Sequence, residues 1–365
     1  MRQKILFVAQ NMNVGGIQTS LLNLLKTIEN KCPEKYEVSL FSFGKGVLLE
    51  NIPDNVSVIL GNKALRLSAD SFYAVLKRKN PIDILLRILL MIYVRIFGSE
   101  RFYRKQFKKC KLKQEYDIAI SYFNDVMGTY FNQGTNMFVS EYIKAREKLA
   151  WIHTDPIKAD FSAQYCRKIY KDFDRIICVS GAVKENFEKL IPEYSSKNEV
   201  IHNLVPEEEI RTLAQAEKPY DERIYNIVTV GRVDNATKRM DEIIKLCSRL
   251  REEGITDFCW HIVGAGPDLS GNLRLVEELG VSNLICFEGE KTNPFPYIKN
   301  ADLFALFSAY EGFPMVICEA QALGTYILTT SYAAAREQIT EDQGFIAASD
   351  EEFYQELKRL IKCRN

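Results

Sequence analysis

The sequence predicts an α/β protein with two doubly wound parallel sheets, one in each half of the chain. Its 365 residues suggest two domains, at roughly 100–200 residues each. Short apolar runs alternate with helical patterns in both halves, which is typical of parallel sheets covered by helices. A polar stretch, 206–224, separates the two alternations. We therefore expect an N-terminal domain over 1–205, a linker over 206–224 and a C-terminal domain over 225–365.

The strands of the first half are predicted from apolar runs. They are expected at 4–9, 36–43, 56–60, 116–122, 148–152, 175–179 and 200–201. A helix over 17–28 should follow the first strand. In the second half, strands are expected at 224–230, 258–263, 284–287, 303–306 and 326–329, with helices at 240–252, 269–279 and 314–323. Ligands of such sheets bind beyond the carboxyl ends of the strands, so the site is expected in the cleft between the domains.

Composition excludes several classes of protein. Equal numbers of basic and acidic residues, 48 each, argue against a non-specific nucleic-acid binder. Nine scattered cysteines without a C-x-x-C pair fit reduced thiols better than a disulfide framework or a zinc site. The longest apolar stretch, 84–97, is shorter than the ~20 residues that span a bilayer, and 4–9 is too short for a signal sequence. The sequence predicts a cytoplasmic protein.

The strongest candidate motif is E-G-F-P-M-V-I-C-E, residues 311–319. Pro314 suits the first turn of a helix, so Glu311 should lie on the preceding loop and Glu319 in the second turn. Backbone amides around 312–316 would then form an anion site at the helix N-terminus. Glu319 could accept hydrogen bonds from a ribose diol. The alternative is a solvated helix with an acidic residue before it.

A second candidate is the segment that begins Gly231-Arg232 and reaches Lys238, just after a predicted strand. The guanidinium of Arg232 offers a fork for phosphate, and Lys238 offers a point charge. Together they could neutralise a diphosphate leaving group without a metal. The alternative is a pair of solvated loop cations.

Two glycine-bearing loops also follow predicted strands. Gly264 and Gly266 resemble the start of a dinucleotide fingerprint, but Leu269 replaces its third glycine. We therefore interpret these glycines as a tight strand-to-helix turn that a nucleotide base could approach. Gly15 and Gly16 precede the first helix and would allow a phosphate to approach the backbone.

Of three histidines, only His153 is predicted to be functional. It follows a strand, between Trp151 and Asp155, where it could hold a substrate hydroxyl. His261 lies within a strand and is expected to be part of the core.

An Asp172-Phe173-Asp174 segment matches the D-x-D metal signature of some sugar transferases. It precedes its strand, at the end opposite to that where ligands gather, so no metal site is predicted there.

In this order, the motifs resemble the retaining glycosyltransferases of family 4 (glycosyl transferases group 1), which have the GT-B fold. The resemblance covers nearly the whole chain and is most specific from Gly231 to Ile339. In the first half it rests on Gly15-Gly16, Trp151-x-His153-x-Asp155, Val179-Ser180 and Asn203. It implies transfer of a sugar from a nucleotide donor, UDP by default, to a hydroxyl of a glycan acceptor, with retention and without a metal or other cofactor.

The resemblance also implies residue roles. Arg232 and Lys238 would bind the diphosphate, Glu319 the ribose, and Glu311 and His153 would lie beside the transferred sugar. The implied donor-binding positions are Gly15, Gly16, Gly231, Arg232, Lys238, Gly264, Gly266, Glu311, Gly312, Phe313, Pro314, Met315, Val316 and Glu319. The implied catalytic positions are His153, Glu311, Arg232 and Lys238. Weaker acceptor or hinge positions are Asp155 and Asn203.

The acceptor side is expected in the first half. Residues 84–97 are apolar nearly all round, and 101–113 carry seven basic residues and no acid. Such a pair suits an anionic membrane surface, although a buried helix beside a solvated basic face is the alternative. Membrane association would suggest a lipid-linked acceptor, as in capsule, exopolysaccharide or other surface-glycan assembly, and a peripheral location on the inner face of the plasma membrane.

Two other functions fit the same two-domain shape. A nucleotide-sugar epimerase would turn over the donor without an acceptor. A catalytically inactive scaffold that binds a partner protein would turn over no donor, although Glu311, Glu319, Arg232, Lys238 and His153 are all present.

Overall fold

The chain forms two compact units, Met1–Leu204 and Val205–Asn365. The computed structural model describes residues 2–110, 112–125, 131, 134–215, 219–221 and 223–363. Each unit contains one parallel sheet with helices around it. The predicted α/β class with two doubly wound sheets is confirmed.

Unit 1 contains a seven-stranded sheet in the order β3-β2-β1-β4-β5-β6-β7. Its strands are β1 Gln3–Ala9, β2 Tyr36–Ser42, β3 Ser57–Leu60, β4 Glu115–Ser121, β5 Lys144–Ile152, β6 Arg175–Cys178 and β7 Asn198–Val200. Strand β1 is central and pairs with both β2 and β4. Its residues 5–9 are buried, as expected for an apolar run in a sheet covered on both faces. The strand order reverses between β1 and β4, which makes their carboxyl ends the expected ligand position.

Eight α-helices are described in unit 1. They are α1 Gly16–Lys31, α2 Lys63–Ala69, α3 Phe72–Lys77, α4 Pro81–Phe97, α5 Ser99–Cys110, α6 Thr135–Tyr142, α7 Ala163–Ile169 and α8 Gly181–Leu190. Helix α4 has defined ends. The Asn80 side chain accepts from the amides of Ile82 and Asp83, Pro81 occupies the first turn, and Gly98 ends the helix at φ 82°. In the described part of the chain, no helix is both long and apolar enough to cross a bilayer.

Unit 2 contains a six-stranded sheet in the order β10-β9-β8-β11-β12-β13. Its strands are β8 Tyr225–Val230, β9 Phe258–Val263, β10 Ile285–Gly289, β11 Leu303–Leu306, β12 Ile327–Thr330 and β13 Gly344–Ala347. This is the strand order of dinucleotide-binding α/β sheets. The order reverses between β8 and β11, so the loops after these two strands form the switch point of unit 2.

The helices described in unit 2 surround this sheet. They are α9 Glu207–Leu213, α10 Asn235–Lys238, α11 Met240–Glu252, α12 Leu269–Glu278, α13 Phe295–Lys299, α14 Met315–Leu323, α15 Ala335–Gln338 and α16 Asp350–Cys363. The apolar faces of α11 and α16 pack against the sheet around Trp260, which is fully buried. Helix α14 ends at Gly324, whose φ of 71° favours glycine.

Within the predicted linker, 206–224, the structure contains helix α9. Three glutamates in the first turn of α9 favour a helix there, through their interaction with the helix dipole. The Arg211 Nε donates to the carbonyl of Ala322, 2.9 Å away, so α9 is attached to unit 2. Residues 216–218 and 222 of the predicted linker lie outside the described residues.

Candidate functional site

Lys238 and Glu311 meet at the switch point of unit 2. Lys238 ends α10, after β8, and Glu311 lies on the loop after β11. The Lys238 Nζ donates to Glu311 Oε1, and the Ser308 hydroxyl donates to the same oxygen at 2.7 Å. The two charged side chains are only 19% and 15% exposed. The structure therefore brings two sequence-predicted residues into one partly buried ion pair beyond the carboxyl ends of neighbouring strands.

The backbone holds the two loops in place. The amide of Ala309 donates to the carbonyl of Thr237 at 2.8 Å, and the Thr330 hydroxyl donates to the carbonyl of Ser308 at 2.7 Å. Ser308 was not among the site residues predicted from the sequence. Its place three residues before Glu311, directly after a buried strand, was the available signal.

Arg232 lies on the same loop as Gly231 but is not part of this ion pair. Its Nη2 contacts Asp234 Oδ2 at 2.6 Å, and its side chain remains 68% exposed. The exposed guanidinium keeps further N–H donors available to a phosphate. An added Cβ at Gly231 would lie 3.6 Å from the Lys238 side chain, so the start of this loop lies close to that cation.

Gly264 and Gly266 support this loop from β9. A Cβ on Gly264 would lie 1.9 Å from the carbonyl oxygen of Gly231, and one on Gly266 would lie 2.1 Å from that of Val233. The amide of Val233 donates to the carbonyl of Ala265 at 3.1 Å. The tight turn predicted here is present, and its glycines allow the protein's own backbone to approach.

Helix α14 begins beside Glu311. Pro314 is the N-cap residue, one position before the first turn in which it was predicted, and no described side chain caps the helix. Gly312 and Phe313 precede it, and Met315 and Val316 open the first turn. The first-turn amide of Ile317 donates to the carbonyl of Pro314 at 3.2 Å. The amides of Met315 and Val316 lie at the positive end of the helix dipole, so this end of α14 can bind an anion.

Glu319 lies in the second turn of α14, as predicted. It is only 7% exposed, and burial raises the pKa of its carboxyl group to about 7. Hydrogen-bond donors stabilise the charged form of a buried carboxyl group relative to its neutral form. A pair of sugar hydroxyls could provide such donors.

In unit 1, Gly15 and Gly16 lie between β1 and α1, at the switch point of that sheet. Gly15 is the extended N-cap residue of α1, and no described side chain caps this helix. A Cβ at Gly15 would lie 2.6 Å from Gln18 Oε1, whereas a Cβ at Gly16 would meet no atom within 4 Å. The backbone at Gly16 can therefore be approached by an anion.

His153 follows β5 and packs against Tyr122, with ring centroids 4.8 Å apart. Its backbone amide donates to Asn124 Oδ1 at 2.8 Å. Its Nε2 is buried and has no hydrogen-bond partner among the described residues. Burial lowers the pKa of His153 to about 3, so the ring is neutral at pH 7. Such an imidazole can hold a hydroxyl but cannot act as a cationic acid.

The two weaker predicted positions have partners inside unit 1. The buried Asp155 accepts from the amides of Ile157 and Lys158 and from the Asn186 side chain. The Asn203 Oδ1 accepts from the Ser20 hydroxyl at 2.7 Å. Asp155 therefore fixes a turn, and Asn203 ties the end of unit 1 to α1.

The D-x-D segment lies at the amino end of β6, as predicted. Asp174 Oδ2 accepts from the backbone amide of Lys148 at 2.8 Å. Among the described residues, one group of three or more potential metal-ligating side chains has closely spaced ligand atoms. It includes neither Asp172 nor Asp174.

Comparison with known sequences finds a family match within unit 2. Residues 224–363 match the family described as "Glycosyl transferases group 1". The chain is 28% identical over 186 residues to the N-acetylgalactosamine-N,N'-diacetylbacillosaminyl-diphospho-undecaprenol 4-alpha-N-acetylgalactosaminyltransferase of Campylobacter jejuni, and this match covers 49% of each chain. It is 34% identical over 92 residues to the lipopolysaccharide core biosynthesis mannosyltransferase LpsB of Rhizobium meliloti, covering 24% of this chain and 26% of that one. The chain thus spans at most about half the length of these two curated relatives.

Solved structures share the fold of the whole chain. Anabaena HepE in complex with UDP and glucose has a TM-score of 0.68 at 17% identity, over 100% of this chain and 90% of that one. A glycosyltransferase from Rickettsia africae has a TM-score of 0.61 at 17% identity, over 100% and 89%. The predicted GT-B fold is confirmed.

The close approach at Gly264 predicts a loss of stability in Gly264→Ala. Its φ of 154° and the Gly231 carbonyl leave no room for a methyl group, and such overpacking costs about 1–3 kcal/mol. Scanning calorimetry should show a lower unfolding temperature for this variant. The control is Gly271→Ala in α12, where a Cβ meets no atom within 4 Å; equal unfolding temperatures for the two variants would contradict the packing argument.

The raised pKa of Glu319 predicts a pH-dependent stability. Between pH 4.5, its ordinary pKa, and about 7, the folded state binds more protons than the unfolded state, so this residue's contribution to stability falls as pH rises. The free energy of unfolding of Glu319→Gln, taken relative to wild type, should therefore increase from pH 5 to pH 8. At ~1.36 kcal/mol per pKa unit, this increase is about 3 kcal/mol at most. Denaturant unfolding at both pH values measures the gain. Glu278→Gln, at an exposed position of α12, is the control, and the same gain in both variants would refute the assignment.

Proposed function

We propose that this chain, whose unit 2 belongs to the group 1 glycosyltransferases, transfers a sugar from a nucleotide-diphosphate donor to a hydroxyl of a glycan acceptor. The observation that carries the proposal is the Lys238–Glu311 ion pair at the switch point of unit 2, beside the N-terminus of α14. It places a cation, an acid and helix amides where α/β sheets bind nucleotides.

The proposed donor is a UDP-sugar, with a hexosyl or N-acetylhexosaminyl group. The Anabaena protein of the same fold binds UDP and glucose, and the name of the Campylobacter relative specifies N-acetylgalactosamine transfer. Lys238 and Arg232 would neutralise the diphosphate, and Glu319 would accept from the ribose hydroxyls. With two protein cations and the start of α14 available, we propose that transfer needs no metal.

We propose a retaining reaction in which the leaving phosphate oxygen takes the proton of the acceptor hydroxyl. The neutral His153 is then a hydrogen-bond partner for a sugar hydroxyl and not a general base. Glu311 is held by Lys238 and Ser308, which fixes its second oxygen for a hydroxyl of the transferred sugar. Each of these groups positions the substrate or stabilises charge at the departing phosphate.

The proposed acceptor is a lipid-linked glycan in cell-surface glycan synthesis, such as capsule or exopolysaccharide assembly. The Campylobacter relative is named for a diphospho-undecaprenol acceptor, and the Rhizobium relative for the lipopolysaccharide core. Such an acceptor would require the chain to work at a membrane surface, from the cytoplasmic side where nucleotide sugars are made.

Helix α4 supports a membrane contact because its apolar face points outward. Six of its apolar residues are 49–66% exposed: Ile82, Leu85, Leu89, Ile92, Ile96 and Phe97. The spacing of residues 82, 85, 89, 92 and 96 places them on one face. The one buried charged residue of α4 is Arg87, which donates to the carbonyl of Asp70 at 3.0 Å and lies over the Phe131 ring. An apolar face of this size on the protein surface is typical of an interaction site.

Basic residues of α5 lie next to this face. Arg101, Lys105, Lys108 and Lys109 are exposed, whereas Phe102, Tyr103 and Phe107 are buried. Lys105 lies over Tyr93 of α4, and Arg101 lies over Phe97. We propose that α4 inserts its apolar face between anionic lipids while α5 contacts their headgroups. Lys111 belongs to the predicted basic segment but lies outside the described residues.

Transfer is tested with the full chain, a set of UDP-sugars and a polyprenyl-diphosphate-linked saccharide, without added metal. We expect an α-linked product, identified by NMR. Lys238→Met should reduce turnover by roughly 10²–10³-fold, since a cation at the departing phosphate is lost. Lys245→Met is the control, because Lys245 is an exposed residue of α11.

Each other outcome would overturn part of this proposal. A β-linked product would refute retention. Conversion of the UDP-sugar without acceptor would indicate an epimerase, and failure to bind any nucleotide would indicate a scaffold. Equal activity of the two lysine variants would remove Lys238 from the site.

Membrane binding is tested by co-sedimentation with phosphatidylglycerol vesicles. Leu89→Asp places a charge on the exposed face of α4 and should weaken binding by at least about tenfold, since burying a leucine contributes ~1.5–3 kcal/mol. Leu273→Asp on α12 is the matched control, because Leu273 is 45% exposed and Leu89 is 52% exposed. Similar binding of the two variants would show that the α4 face is not the contact.

A further inference from the structure

Three side chains that play no part in the proposed transfer converge on one face of the sheet of unit 2. They are His261 on β9, and Cys286 and Glu288 on the neighbouring edge strand β10. Cys286 pairs with His261 in the strand register. One nitrogen of His261, the sulfur of Cys286 and one carboxylate oxygen of Glu288 all lie within 4.8 Å of one another. His261 is buried within β9, as predicted, and it lies beside a thiol and a carboxylate.

The tautomer of His261 is fixed by Asn226. The Asn226 amide nitrogen donates to the carbonyls of Asp221 and Ile224, at 2.9 and 3.0 Å. Its Oδ1 must therefore face His261 Nε2, 3.2 Å away, and accept a hydrogen bond from it. In the neutral ring the proton is then on Nε2, and Nδ1 carries a lone pair.

That lone pair points at an oxygen of Glu288. His261 Nδ1 lies 2.9 Å from Glu288 Oε1. Two acceptors at this distance need a proton or a metal ion between them. The Cys286 sulfur lies within 4.8 Å of a carboxylate oxygen of Glu288, which adds a third potential ligand atom.

The neighbours of these three side chains make the hydrogen bonds that orient ligands in metal sites. A metal-bound histidine usually donates its other ring N–H to a neighbouring oxygen, as Nε2 does here to Asn226. The Tyr297 hydroxyl lies 3.4 Å from the other Glu288 oxygen, and the Tyr220 ring packs on the imidazole with centroids 4.2 Å apart. These contacts orient two of the three ligands.

We propose that His261 Nδ1, Cys286 Sγ and Glu288 Oε1 bind a Zn²⁺ ion, with water in the fourth position. A thiolate, an imidazole and a carboxylate form a zinc ligand set, and the soft sulfur disfavours Mg²⁺ and Ca²⁺. Tetrahedral zinc ligands at ~2.0–2.1 Å from the ion lie about 3.3 Å apart, so His261 Nδ1 and Glu288 Oε1 would separate slightly from their 2.9 Å. The exposed Cys286 side chain can approach the ion by rotation. Binding releases the thiol proton to solvent. The ion would join edge strand β10 to β9.

The test is calorimetric titration of ZnCl₂ into the reduced full chain. We expect one strong site, at least about 100-fold weaker in Cys286→Ser and in Glu288→Gln. Tyr297→Phe should weaken binding by ~10-fold, since losing a hydrogen-bond partner of a metal ligand costs about 10–100-fold in metal affinity. Co²⁺ bound in place of Zn²⁺ should show a sulfur-to-cobalt charge-transfer band that Cys286→Ser abolishes. Cys363→Ser, at another exposed cysteine of unit 2, is the control.

Circular dichroism of each variant separates loss of the site from loss of the fold. Equal zinc affinity in Cys286→Ser and Cys363→Ser would overturn the proposal, as would no zinc binding by the wild type. Nitrogen NMR offers an independent readout. If both nitrogens of His261 carry protons at neutral pH and added zinc does not displace the proton on Nδ1, then an ion pair with Glu288 occupies this position.

Discussion

The adjacency of β8 and β11 is the constraint on which the rest of the site depends. Their connections leave in opposite directions across the sheet, so the segments that follow the two strands can meet at the switch point. Lys238 and Glu311 fill that position and pair. The glycines after β9 support one loop, and the start of α14 follows the other. A change that moves either strand would thus separate charges that are 73 positions apart in the sequence.

Much of this arrangement could be predicted from the sequence. Apolar runs locate the buried strands, because such runs need cover on both faces, and Pro314 locates the start of α14 within one residue. Lys238, Glu311 and Glu319 could be identified because each follows a strand or opens a helix. Their pairing and the burial of Glu319 depend on strand order, which local patterns do not specify. Strand β13 and helix α9 were missed because short or polar segments carry little periodic signal.

The orientation of α4 and the neighbours of His261 could not be predicted from the sequence, for a different reason. A helix that is apolar nearly all round does not reveal which face is buried, and here the carbonyl of Asp70 and the ring of Phe131 hold Arg87 inward. The patterns C-x-H at 259–261 and C-x-E at 286–288 each place two polar side chains on one face of a strand. Only the register between β9 and β10 shows that they meet.

The capped ends of α4 and its anchored Arg87 have a consequence for any partner that covers its apolar face. The helix is already formed at both ends, so association need not include a coil-to-helix transition. The conformational entropy of α4 is lost when the protein folds and not when the partner binds. Such preorganisation predicts a negative heat-capacity change on association, from dehydration of the apolar side chains, with no gain in helical content. The apolar face of α4 is therefore ordered before association, unlike segments that fold only when they bind.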